Sequence, residues 1–71
     1  MTAQAQIREK VRAVARDEST FGVLSTGEKI AVAMVLDRSD LLSTTMLEAL
    51  HRLGPEWTAA ALRVQRDGWE D

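Results

Sequence analysis

The 71-residue sequence predicts an all-α fold, a small bundle of about four helices. Three observations carry this. Apolar residues near the N-terminus recur at the helical period with no Gly or Pro among them. Two Ser/Thr-x-x-Glu segments mark helix starts in the middle of the chain. A Gly-Pro step later on ends one helix and begins the next. At this length the chain is expected to form one domain over residues 1–71, with no repeat and no linker long enough to divide it.

The first helix is expected from about Thr2 to Arg16, because Ala3, Ile7, Val11 and Val14 fall on one face at i, i+4, i+8 and i+11. Arg8, Arg12 and Arg16 form an adjoining stripe. Residues 17–24, with Ser19, Thr20 and Gly22, read as a connector whose Phe21, Val23 and Leu24 drop into the core. Ser25-Thr26-Gly27-Glu28 is a capping box. The Ser hydroxyl and Glu carboxylate there each accept from an N–H that a helix start leaves free. The second helix begins at this point, and its body, Ile30 to Leu36, is apolar on every side, as suits a central helix wrapped by the others. Asp37-Arg38-Ser39-Asp40 ends it.

Thr45-Met46-Leu47-Glu48 repeats the capping pattern, and Met46, Leu47, Leu50 and Leu53 form the expected inner face of the third helix. Gly54 suits a left-handed position that stops a helix, and Pro55 suits the first position of the next, where its missing N–H costs nothing. The third and fourth helices are therefore expected to form a tight Gly-Pro hairpin. The fourth turns Trp57, Ala60, Ala61 and Val64 inward and stops at Gly68.

Composition narrows the functional classes. Hydrophobic residues make up 45% and charged residues 28%, which is globular material. With no Cys and one His, neither a disulfide nor a zinc framework is expected, and no cofactor is implied. The lack of Cys, and an N-terminal stretch without the apolar core of a signal peptide, point to the cytoplasm. The longest apolar run, Ile30 to Leu36, is seven residues, well short of the roughly 20 that span a bilayer. Net charge is -2 but uneven: residues 1–16 carry four basic residues against Glu9 alone, and the remainder carries five against ten acidic ones.

Nothing in the sequence assembles a catalyst. Nucleophilic catalysis needs a nucleophile beside an oriented base, and the sole His, His51, borders the third helix's apolar face without such company. Gly27-Glu28-Lys29 lacks the leading Gly and the hydroxyl of a phosphate loop. The expectation is a non-enzymatic protein-interaction module.

Two surfaces are candidates for the partner. One is the Arg8, Arg12, Arg16 stripe, which suits an acidic partner. The other is Leu62 with Trp69, seven residues apart on the outer side of the fourth helix. That pair forms an apolar patch if the helix continues to Trp69; if Gly68 stops it, Trp69 folds back on Val64. Either way, a second apolar stripe on so small a domain makes a homodimer one of the expected partners, and a dimerising structural protein is a further reading. The competing class is a helix-turn-helix-like DNA-binding regulator, with the fourth helix in a major groove. Against it, Pro55-Glu56-Trp57 puts an acid where phosphate needs a free N–H, only Arg63 and Arg66 project outward, and the body is acidic. Nucleic acid is therefore the less favoured partner.

The stretch from Ser25 to Arg66, above all STGEKIAVAMVLDR and TMLEALHRLGPEWTAAALRVQR, resembles short uncharacterised helical proteins of proteobacterial phages and integrated mobile elements. Such proteins include small regulators and inhibitors of host defence, anti-CRISPR proteins among them. The resemblance implies a small inhibitory binder. It transfers no residue roles and leaves out the first 24 residues, so it implies nothing for the Arg stripe.

Overall fold

The structure, a computed structural model, describes residues 2–70; Met1 and Asp71 lie outside the described residues. Four α-helices follow one another: α1 (Ala3–Arg16), α2 (Thr26–Val35), α3 (Met46–Leu53) and α4 (Pro55–Asp67), with short 3-10 segments at Glu18–Val23 and Ser39–Leu41. The fold is all-α and compact: its radius of gyration of 10.8 Å is close to the roughly 11 Å that a globule of this length has. No helix among the described residues is long and apolar enough to cross a membrane.

Each α-helix starts where a side chain or Pro disposes of the free N–H groups. Thr2 caps α1 by accepting from the Ala5 N–H at 3.1 Å. The Ser25–Glu28 box of α2 is complete. The Glu28 N–H donates to Ser25 Oγ (3.3 Å), and the Ser25 N–H donates to the Glu28 carboxylate (3.0 Å). At α3 only half the box forms. Thr45 Oγ1 accepts from the Glu48 N–H (3.2 Å), while the Glu48 carboxylate takes the Thr44 hydroxyl at 3.3 Å. α4 starts on Pro55, immediately after Gly54.

α2 packs against α1, α3 and α4, and Ile30, Ala31, Val32, Ala33 and Val35 are all buried on it. It is the central helix, which is why its body from Ile30 onward is apolar on every side. α1 supplies Ile7, Val11 and Val14 to the core, and α4 supplies Ala60, Ala61 and Val64 with Trp57 packed beside them. The small Ala side chains let α4 approach its neighbours closely.

Two apolar residues expected inside are outside. Val23 is 83% exposed. It ends a 3-10 segment, whose three-residue period stacks Phe21 and Leu24 on the core side and turns Val23 about a third of a turn away. Leu47 is 80% exposed, and the fully buried residue of α3 is Ala49. On α3, Ala49 is buried and Met46, Leu50 and Leu53 beside it are half-buried, with Leu47 about a quarter turn off that set.

Long side chains tie the helices at their ends. Gln65 Nε2 on α4 donates to the Met34 carbonyl (3.1 Å), which also accepts from the Asp37 N–H, and to the Val35 carbonyl (3.4 Å), both at the end of α2. Gln6 Nε2 on α1 donates to the Glu28 carboxylate at 3.1 Å. The Ser25 N–H, and after it Gln6, hold the Glu28 carboxyl below the usual glutamate range. A depressed carboxyl pKa stabilises the fold above the unfolded value near 4.3, and that stabilisation is lost as pH falls through the lower folded value. Asp17, held down by Ser19, and Asp40, held down by Arg38, act with the same sign. The melting temperature should therefore drop between neutral pH and about pH 3, and Glu28→Gln, whose one carbonyl oxygen can still accept from the Ser25 N–H but which does not titrate, should narrow that drop. An undiminished drop in the variant would show that Glu28 carries none of it.

Candidate protein-interaction surface

α3 and α4 are in contact, with Gly54 alone between them. Its φ of 86° is positive, as only Gly adopts readily, but its ψ of 164° is extended rather than left-handed helical. The chain thus leaves α3 extended and re-enters a helix at once. Between the outward flanks of the two helices lies a shallow open groove of about 580 Å³, lined by Leu47, Leu50 and His51 from α3, by Gly54 at the junction, and by Pro55, Thr58, Ala59 and Leu62 from α4. Its polar groups do not interrupt the apolar floor: the Thr58 hydroxyl is turned back onto the Gly54 carbonyl at 2.7 Å. Among the described residues three large hydrophobic side chains are exposed, Val23, Leu47 and Leu62, and two of the three line this groove. Leu62 is 48% exposed.

Leu62 does not share this surface with Trp69. α4 stops at Asp67, and the Gly68 N–H closes it by donating to the Val64 carbonyl at 2.9 Å. Gly68 then turns the chain at φ 90°, and Trp69 packs against the core. The Leu62–Trp69 patch is thus absent: the helix ends before Trp69 can join Leu62. The apolar neighbours of Leu62 come from α3 instead.

Arg8, Arg12 and Arg16 do lie together on α1, around a shallow depression that also includes Ala5 and Glu9. They do not form a uniform cationic stripe. Arg12 Nε donates to the Trp69 carbonyl at 2.6 Å, so its guanidinium fastens residues 68–70 onto α1, and Glu9 places a carboxylate in the same depression. Arg63 and Arg66 are exposed on the outer side of α4, within the turn that follows Leu62.

The remaining charged constellation is structural. Arg38 holds Asp40 through two bonds of 2.9 Å and reaches Glu18 at 3.2 Å, tying the two 3-10 segments together. His51 is exposed at the groove edge. Among the described residues no group of three or more His, Asp or Glu is placed to hold a metal ion, and no buried side-chain polar atom lacks a partner.

Three residues that matter to this arrangement carry no signal for their roles in the sequence. Gln65 and Gln6 act across helices, and Ala49, the buried residue of α3, is marked only by its small size. No protein-family model, curated protein or solved structure matches the chain.

Proposed function

We propose that the chain is a non-enzymatic protein-interaction module that receives an apolar helical segment in the α3–α4 groove, with the two helices acting as one Gly-Pro hairpin. The observation that carries this reading is the pairing of Leu47 and Leu62 on one surface. Scattered exposed apolar residues are ordinary, but adjacent ones on a groove of apolar floor mark a binding surface. A groove between two helices fits the apolar stripe of a third. The resemblance to small proteins of mobile elements agrees with an inhibitor that works by binding.

The test uses a photo-crosslinking amino acid at Leu47, with the same group at Val23 as control. Val23 is as exposed as Leu47 but lies outside the groove. Discrete protein adducts from position 47 and none from position 23 are the expected result. Equal adducts from both positions would overturn the reading. So would nuclease-sensitive adducts that need Arg63 and Arg66, which would favour the DNA-binding class.

A further inference from the structure

We propose that the segment received is α4 of a second copy, the two α4 helices crossing antiparallel about Ala59. This rests on the interaction-module reading and names its partner. Pro55, Ala59, Leu62 and Arg66 fall at i, i+4, i+7 and i+11 along α4, directly opposite the buried Ala60, Ala61 and Val64, and all four are exposed. They form a second stripe on a helix whose first stripe is already in the core. Ala59 at its middle is small enough for two helices to approach closely.

The charges beside this stripe fit a second copy in one orientation. Glu56 and Arg63 both lie on the flank of the stripe away from Thr58 and α3, at opposite ends of it. When two helices pack antiparallel, like flanks meet and the ends are exchanged. Glu56 of each copy then faces Arg63 of the other, giving two symmetric ion pairs, with the twofold axis passing beside Ala59. Parallel packing would instead bring the Glu56 and Arg63 flank of each copy against the Thr58 flank of the other, and neither ion pair could form. In the antiparallel register each Leu62 lies over the Pro55–Ala59 floor of the opposite copy, beside the Leu50 wall of its groove, and the aliphatic stem of Arg66 covers Pro55 of the opposite copy. No ion pair involving Glu56, Arg63 or Arg66 forms among the described residues, so the interface breaks no such bond.

The test measures mass by sedimentation equilibrium over a dilution series. Wild type should dimerise. Glu56→Arg and Arg63→Glu should each weaken the dimer on the order of tenfold at low salt, because two attractive pairs become repulsive. The double reversal should restore it, which a fold defect would not do. Since the chain has no Cys, single cysteine variants report orientation directly. Under mild oxidation Ala59→Cys should cross-link to itself. Arg66→Cys should not, because its symmetry mate lies roughly 20 Å away along the axis.

Cross-linking at both positions would show parallel packing and overturn the proposal, as would a double reversal no tighter than the singles. A monomer at every concentration would overturn it too. If position 47 still captured another protein in that case, the interaction-module reading would stand and the second copy alone would be wrong.

Discussion

Ile7→Ala is expected to lower the melting temperature by at least about 10 °C and to leave much of the chain unfolded at physiological temperature. Ile7 is 1% exposed, and it is one of only four large side chains that are wholly buried among the described residues, the others being Val11, Val32 and Val64. The rest of the buried core is Ala and Val with Leu24 and Ile30, and half-buried Phe21, Trp57 and Trp69 pack at its edges. Truncating a buried Ile costs about 2–5 kcal/mol through lost transfer energy and the cavity left behind. A domain this small has roughly 3–5 kcal/mol in total. The cost is thus comparable with the whole margin, since a core built on Val and Ala has no spare volume with which to close the gap. Circular dichroism melts of the variant beside wild type test this; a drop under about 5 °C would mean that α1 contributes little to the core. Leu47→Ala, which removes an exposed side chain, should change stability by no more than about 0.5 kcal/mol. The contrast separates Leu47's role on the surface from Ile7's in the interior.

What could be read in advance follows from the range of each interaction. The capping box at Ser25 and Glu28, the apolar body of α2 and the boundary between α3 and α4 at Gly54 are encoded within a few residues, and the structure has a complete box, a buried α2 body and a helix break at Gly54, though with an extended ψ rather than the left-handed one expected. Errors arose where the local period was not the one assumed, or where the deciding contact was distant in sequence. Val23 obeys a 3-10 period rather than a helical one. Leu47 belongs to an apolar run that a helical period can phase in more than one way, and the buried residue of α3 is the small Ala49. Trp69 could go either way on local grounds. The tie that accompanies its inward packing, from Arg12 to its carbonyl, spans 57 positions.

The candidate site shows the same division. Leu62 and its stripe on α4 follow from periodicity, but their pairing with Leu47 and Leu50 depends on how α3 and α4 dock, which no local pattern states. Arg8, Arg12 and Arg16 line one depression on α1, as their helical spacing implies, but the central guanidinium is used within the fold. A carbonyl acceptor at 2.6 Å makes Arg12 a clamp on residues 68–70, and a partner drawn to α1 would meet Glu9 alongside Arg8 and Arg16.

The geometry that creates the groove rests on one residue. Gly54→Ala is expected to destabilise the protein by about 1–3 kcal/mol, because φ 86° with ψ 164° is backbone space that an L-residue enters only under strain. Sterics around the new methyl group do not contribute: a Cβ built at this position meets no atom within 4 Å. The cost is therefore local backbone strain, and its chirality can be tested. The chain is short enough for chemical synthesis, and D-alanine at position 54 favours positive φ. It should match wild type or exceed it, since it also restricts the unfolded chain. Gly27 gives the opposite control. It lies in the first turn of α2 with open space where a Cβ would stand, and Gly27→Ala should stabilise by about 0.5 kcal/mol through helix propensity. Losses with both L- and D-alanine at position 54 would mean that space rather than handedness limits the junction. A loss with the L-residue alone would tie the α3–α4 groove to the positive φ of Gly54.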